Sequence, residues 1–218
     1  MNLNNLVREN IYIQMGNISL IASGFLLQVI ILNFALVSIE EFAYYKLAIS
    51  LILSFSLLFT SGIPMYAIRM HKNKVISLLE FKGLFYLNFI FAILFSLTLF
   101  ILLQFIGSSL IENWNYMYLF TAVLITFPSY IMYNYLLSEE NVKSRFKRQG
   151  KYILLAQIAK FGVGIIAFYV GGIFWGVIAY SIPGLLGFIS KVIVQRDDIP
   201  KLIRAAFPIL FKNKLWTY

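Results

Sequence analysis

The chain has 218 residues, of which 61% are hydrophobic and only 12% are charged. Charged residues make up about a quarter of an average soluble domain, and a globule of this size cannot bury so much apolar sequence in one core. The composition therefore excludes a soluble enzyme, a disordered chain and a coiled coil. It predicts a membrane protein that consists of one helical bundle.

The net charge of +9 does not indicate nucleic-acid binding, because the sequence contains no polar domain on which the cations would form a binding face. The absence of cysteine excludes a disulfide framework and a thiolate metal site. The only histidine, His71, lies in a lysine-rich loop without nearby acids. We therefore predict no metal site and no cofactor.

Six apolar stretches are each long enough to cross a bilayer, which takes about 20 residues. The first begins too late and runs too long for the apolar region of a signal peptide, so we interpret it as a retained helix. The predicted architecture is all-α and polytopic, with six transmembrane helices. The predicted spans are residues 11–37, 47–68, 83–105, 114–137, 152–170 and 173–194.

The cations follow the positive-inside rule, which places lysine and arginine on the cytoplasmic side. With the N-terminus inside, sixteen of the eighteen cations lie in or at the edge of the inner segments, one (Lys46) lies in an outer loop and one (Lys160) lies within a span. Both termini are therefore predicted to be cytoplasmic. The inner segments are 1–10, 69–82, 138–151 and 195–218, and the outer loops are 38–46, 106–113 and 171–172.

The spans form three helical hairpins, and the returning helix of each hairpin contains a proline: Pro64, Pro128 and Pro183. Proline removes a backbone hydrogen bond and kinks a helix, although prolines are ordinary in membrane helices. Two interpretations are open for each proline, simple curvature or a bend point of a rocking transporter.

Lys160 is the most unusual residue of the predicted spans, because a lysine inside the membrane is costly unless it is paired or hydrated. It lies nine residues beyond Lys151, roughly 13 Å deeper along a helix, and Gln157 lies on the same face. We place all nine acids in loops or tails, so Lys160 is expected to face water or an anionic ligand. The alternative is a side chain that extends to the headgroups, which we favour for Lys191.

Further polar residues in the spans form a candidate substrate path. Gln14, Asn17 and Gln28 lie on one stripe of the first span, and Asn88 lies in the third span. The alternative for the stripe of the first span is interhelical hydrogen bonding. Arg69 ends the second span and is a candidate phosphate contact, although binding of a lipid headgroup explains it better.

The sequence lacks the motifs expected of an enzyme. It has no nucleotide-binding lysine loop, no H-E-x-x-H and no G-x-S-x-G. The loop acids Glu80, Glu139, Glu140, Asp197 and Asp198 lie beside cations and are interpreted as solvated charges. We therefore predict that the chain is not an enzyme and has no catalytic residue.

The segment from Ser23 to Arg69 resembles the start of the polysaccharide flippases, which translocate O-antigen and lipid-linked oligosaccharides and share a superfamily with the multidrug and toxin extruders. The resemblance lies in a first helix with small residues and Gln28, an outer loop Glu40-Glu41-Phe42-Ala43-Tyr44-Tyr45, and a second helix that closes with Leu58-Phe59-Thr60-Ser61-Gly62-Ile63-Pro64 before Arg69. The later hairpins match the family in length, topology and basic inner loops.

The resemblance implies one six-helix lobe of a two-lobed transporter in the bacterial cytoplasmic (inner) membrane. Such a protein flips undecaprenyl-pyrophosphate-linked oligosaccharide to the outer leaflet by alternating access. Lys160, with Arg69 as a second candidate, would contact the pyrophosphate. The implied partners are the lipid-linked oligosaccharide, membrane lipids, a second lobe or a homodimer, and polysaccharide polymerase machinery. Gln14, Asn17, Gln28, Asn88 and Gln157 would line the sugar path.

The length of the chain differs from the two-lobed pattern. Residues 1–198 form the six-helix lobe, and residues 199–218 form either a cytoplasmic amphipathic tail or the lead into a missing seventh helix. A truncated product, a fragment and a homodimerising half all remain open. Two other functions are alternatives: an exporter of the multidrug type, and a membrane scaffold that binds polysaccharide-assembly enzymes through loop 143–151.

Overall fold

The computed structural model describes residues 3–33, 37–110, 114–193 and 198–211, and some side chains within these ranges, including that of Asn17, lie outside the description. The described residues form helices and no β-strand, which confirms the all-α prediction. The elements are α1 (Leu3–Asn33), α2 (Ile39–Ser61), α3 (Ile63–Lys72), α4 (Leu78–Leu110), α5 (Trp114–Val142), α6 (Phe146–Ala179), α7 (Ile182–Phe188), a π-helical turn (Ile189–Ile193) and α8 (Ile199–Phe211).

Five segments within the described ranges are long and apolar enough to cross a membrane, and a sixth apolar segment is shorter. The helices extend beyond the predicted spans, because polar residues at a helix end can leave the hydrocarbon without breaking the helix. The long segments are Gln14–Asn33, Ile39–Lys72, Leu78–Leu102, Met117–Val142 and Phe146–Ala179, and the short one is Ile182–Ile193.

The chain reverses direction inside α6, at Gly171 and Gly172. Gly172 has φ +63° and ψ −149°, a backbone region that is essentially restricted to glycine. In a straight helix, residues 160 and 180 would lie about 30 Å apart, yet the Lys160 ammonium lies 4.5 Å from the centre of the Tyr180 ring. The turn predicted at 171–172 is therefore present, and it divides α6 into the end of one span and the start of the next.

Two of the three prolines begin a helix instead of bending one. Pro64 lies in the first turn of α3, after a break at Gly62, and Pro183 lies in the first turn of α7. Pro128 lies inside α5. Near the break at Gly62, the Asn88 side chain donates a hydrogen bond of 2.9 Å to the carbonyl of Phe59. This bond satisfies a backbone acceptor where regular helical bonding is interrupted.

Helix α5 is central to the bundle and packs against α2, α4, α6 and α7, while α1 packs along α6. The buried side chains form two clusters. The first contains Ile31, Ile52 and Phe127. The second contains Phe81, Phe85, Tyr135 and the buried residues of α8. We call the second region the basic end, because Lys82, Lys143 and Lys191 converge there.

Helix α8 packs closely against the start of α4. A Cβ atom added at Gly83 would lie 2.0 Å from the carbonyl oxygen of Leu202, so the two backbones are in direct contact. Leu202 and Ala206 are buried against α4, whereas Lys201 and Arg204 are exposed. The last helix therefore covers the core of the basic end with its apolar face.

Candidate functional site

Lys160 lies in the middle of the membrane-spanning part of α6 and is only 3% exposed. Its ammonium lies over the Tyr180 ring, 4.5 Å from the ring centre. No carboxylate of the described residues forms an ion pair with it. The predicted intramembrane cation is therefore inside the bundle, with an aromatic ring as its neighbour.

Tyr180 contacts this lysine, and two further tyrosines and a glutamine extend the group of side chains from it. The Tyr180 ring stacks on that of Tyr130, with centroids 6.2 Å apart, and Tyr130 makes an edge contact with Tyr133 at 5.9 Å. The Tyr133 hydroxyl lies beside Gln157 without an aligned hydrogen bond to it. We call Lys160, Gln157, Tyr130, Tyr133 and Tyr180 the lysine–tyrosine cluster.

Two polar groups of the lysine–tyrosine cluster are left without a partner. The Gln157 amide nitrogen and the Tyr133 hydroxyl are buried and make no hydrogen bond within the described part of the chain. A buried polar group without a partner costs about 1–3 kcal/mol, and an uncompensated ammonium costs more. The cluster therefore offers one positive charge beside a buried hydroxyl and amide that adjoin each other, an arrangement suited to an anionic, hydrogen-bonding ligand or to water.

The structure separates the other predicted site residues. Ser23 of α1 donates a hydrogen bond of 3.1 Å to the Gln157 side-chain oxygen, which links α1 to the lysine–tyrosine cluster. On α1, Gln28 is half-buried and Gln14 is exposed, so the predicted polar stripe faces partly away from the bundle. The Asn17 side chain lies outside the described residues. The Asn88 amide donates to the Phe59 carbonyl of another helix, a contact that the sequence did not predict.

Arg69 belongs to the last turn of α3 and is exposed at the basic end. Lys160 lies in the interior of α6 and is covered by Tyr180. The two candidate phosphate contacts therefore do not share a site in this conformation.

Glu139 corrects the interpretation of the loop acids. The apolar stretch ends at residue 137, but α5 continues to Val142, so Glu139 and Glu140 lie within a helix, and both are buried. The Glu139 carboxylate binds the ammonium groups of Lys143 and Lys191, and Lys82 approaches it to 3.5 Å. Neither acid is a solvated loop charge, and we call Glu139 with these three lysines the Glu139 cluster.

Lys191 was predicted to extend toward the headgroups, and this prediction is wrong. Its side chain is 6% exposed and is bound to Glu139, 52 residues earlier in the chain. Lys191 lies in the π-helical turn, and its carbonyl accepts a hydrogen bond from the Tyr86 hydroxyl. Glu139 and Lys143 are one helical turn apart, and this spacing is the sequence signal that could have revealed part of the cluster.

One of three comparisons with known proteins identifies a family. A model of the family described as polysaccharide biosynthesis protein matches residues 35–207, which is most of the chain. No curated protein and no solved structure matches the chain significantly. The matched region begins before α2 and ends within α8. It includes the lysine–tyrosine cluster and the Glu139 cluster. The chain therefore belongs to the polysaccharide biosynthesis protein family.

Proposed function

We propose that this chain moves undecaprenyl-pyrophosphate-linked oligosaccharide from the cytoplasmic to the outer leaflet of a bacterial inner membrane, with its basic end in the cytoplasm. Family membership supports a role in polysaccharide biosynthesis. The observation that carries the proposal is the buried ammonium of Lys160, which has a tyrosine ring but no carboxylate partner among the described residues. A pyrophosphate group supplies the missing negative charge.

The pyrophosphate reaches Lys160 only after a rearrangement, because Tyr180 covers the ammonium in this conformation. Tyr180 lies between the glycine turn at 171–172 and Pro183, two places where regular helix is interrupted. Movement of the segment between them uncovers Lys160 without breaking a long helix. This segment is our candidate for the moving part in alternating access.

The main test replaces Lys160 with methionine, which has similar bulk and no charge. We expect surface polysaccharide to fall at least about tenfold, the factor that corresponds to losing one charge-assisted contact. The measurement is surface polysaccharide in the source cell at matched protein levels. The matched control is Lys151→Met, which removes an exposed lysine from the same helix.

The outcomes of this test separate the candidate functions. Loss with Lys160→Met alone supports flipping through Lys160, and unchanged polysaccharide contradicts it. Loss with Lys151→Met alone indicates a scaffold that works through the basic loop 143–151. A purified protein that flips the lipid-linked substrate in liposomes would exclude the scaffold directly.

One observation favours a second candidate, an ion-coupled exporter. Glu140 is buried in α5, and its Oε2 atom makes no hydrogen bond within the described part of the chain. Such an acid is typical of proton or sodium coupling in membrane proteins. Glu140→Gln abolishes export in an exporter driven through this carboxyl. In a flippase that relies on Lys160, the same substitution leaves surface polysaccharide unchanged.

A further inference from the structure

An apolar groove of about 560 Å³ runs between α4, α5 and α7. Its volume lies in the range of pockets that bind small molecules, about 300–1,000 Å³. Its walls include Phe89, Ile93, Leu97 and Phe100 of α4. Leu97 is about half exposed, and Ile93 and Phe100 are about one third exposed. The groove therefore opens to the outside of the bundle, where lipid lies.

The groove has no free polar group for a sugar. The hydroxyls among its lining residues belong to Ser96, Thr121 and Ser129. Each of the three donates a hydrogen bond to a backbone carbonyl, at 2.9, 2.8 and 2.6 Å respectively. The lining therefore matches a hydrocarbon and not a hydroxyl-rich ligand.

The length of the groove matches a chain from a single leaflet. Phe89 and Phe100 are eleven residues apart on α4, a distance of about 16 Å along the axis. This is roughly half of the hydrocarbon thickness of a bilayer, which is about 30 Å. A chain that fills the groove therefore belongs to one leaflet.

One end of the groove leads toward the Glu139 cluster. The Phe89 and Phe188 rings meet there, 6.5 Å apart. Lys82 lies two turns before Phe89 on the same face of α4, and Lys191 follows Phe188 by three residues. The rings of Tyr86 and Tyr135 contact each other beside this cluster. None of the described residues that line the groove is charged, so the charges are close to the groove but outside it.

The Glu139 cluster carries excess positive charge. Three ammonium groups surround one carboxylate, which leaves a formal charge of +2 on these four residues, and one further acid, Asp198, lies near the neighbouring Tyr86. Glu140 forms no ion pair with these lysines. The side chains of Lys82 and Lys143 are 19% and 26% exposed, so they present this charge at the rim of the bundle. A phosphate at the rim compensates the excess.

We propose that the groove is a binding site for an anionic phospholipid of the leaflet at the basic end. One acyl chain fills the groove, and the phosphate contacts Lys82 and Lys143. This site is separate from the proposed transport site, because Lys160 lies on α6, which does not line the groove, and α5 lies between them. We assign the groove to a resident phospholipid and not to the lipid carrier, because none of its lining residues belongs to the lysine–tyrosine cluster.

The experiment measures binding of phosphatidylglycerol and phosphatidylcholine to the purified full chain in detergent by native mass spectrometry. We expect phosphatidylglycerol to bind more tightly. Leu97→Trp fills the groove and should weaken phosphatidylglycerol binding roughly tenfold. Leu57→Trp, at an exposed position of α2 away from the groove, is the matched control and should change nothing. Ile125→Trp fills the groove from α5 and replaces Leu97→Trp if that variant does not fold.

A separate substitution tests the proposed contact between the lipid phosphate and the lysines. Lys143→Gln should reduce the preference for phosphatidylglycerol over phosphatidylcholine by about fivefold, the expected contribution of one lysine near a membrane surface. Three results overturn the proposal: equal binding of the two lipids to the unmodified chain, unchanged binding after both groove-filling substitutions, or displacement of phosphatidylglycerol from the groove by polyprenyl phosphate.

Discussion

Lys160 and Lys191 are both buried in the bundle, yet the fold surrounds them in opposite ways. Lys191 is bound to Glu139, together with two further lysines. Lys160 lies over a tyrosine ring, with no carboxylate partner among the described residues. A buried ion pair depends strongly on both of its partners, whereas an unpaired buried charge is a cost that stability alone does not explain. The comparison leads us to propose that the Glu139 cluster holds the structure together, whereas Lys160 serves the proposed function.

The strongest test of this comparison is Glu139→Gln. The substitution leaves three ammonium groups without their carboxylate, and removing one partner of a buried pair costs about 3–5 kcal/mol. We expect the free energy of unfolding in detergent to fall by this amount. Glu40→Gln, at an exposed acid in the first turn of α2, is the control. Equal stability of the two variants would show that the Glu139 cluster is not structural.

Lys191→Met should have the next largest effect. Glu139 keeps Lys143 and Lys82 as neighbours, so the loss is close to that of one hydrogen bond to a charged group, about 1.5–3 kcal/mol. Denaturant titration of the purified protein measures it. A loss as large as that of Glu139→Gln would mean that the other two lysines contribute nothing.

Tyr180→Leu tests the neighbour of Lys160. Losing the ring over a desolvated ammonium costs about 2 kcal/mol, and thermal unfolding should detect this change. Tyr180→Phe keeps the ring and should unfold like the unmodified protein. If the phenylalanine variant is as unstable as the leucine variant, the hydroxyl and not the ring is the important contact.

The smallest effect on stability is expected for Lys160→Met. Replacing a buried charge by an apolar side chain of similar volume is often neutral or stabilising, so the unfolding free energy should stay the same or rise, even as transport is lost. Chemical denaturation measures the unfolding free energy of this variant, and the surface polysaccharide assay measures its transport. A clear loss of stability would show that Lys160, like Lys191, stabilises the fold, and the two lysines would then not differ in role.

The sequence predicted the features that depend on local pattern. Apolar length located the helices, and the glycine pair at 171–172 marked the turn between the last two spans. The isolation of Lys160 also followed from the sequence, because no acid lies near it in the chain. These features depend on residues that are neighbours along the chain or on the choice between lipid and water as solvent. Both can be inferred from a single sequence.

The features that the sequence did not predict depend on distant pairs. The partner of Lys191 lies 52 residues away, and the partner of Asn88 is a backbone carbonyl on another helix. Neither contact leaves a periodic signal. Hydropathy predicts a loop at Glu139 because it decreases before the helix ends. The three lysines around Glu139 become neighbours only after α4, α5 and the π-helical turn have packed together.

The glycine turn at 171–172 has a consequence for biosynthesis. With two residues between them, the segments before and after the turn have no connection long enough to separate them, so we expect them to enter the bilayer together as a hairpin. The ring of Tyr180 would then accompany the charge of Lys160 during insertion.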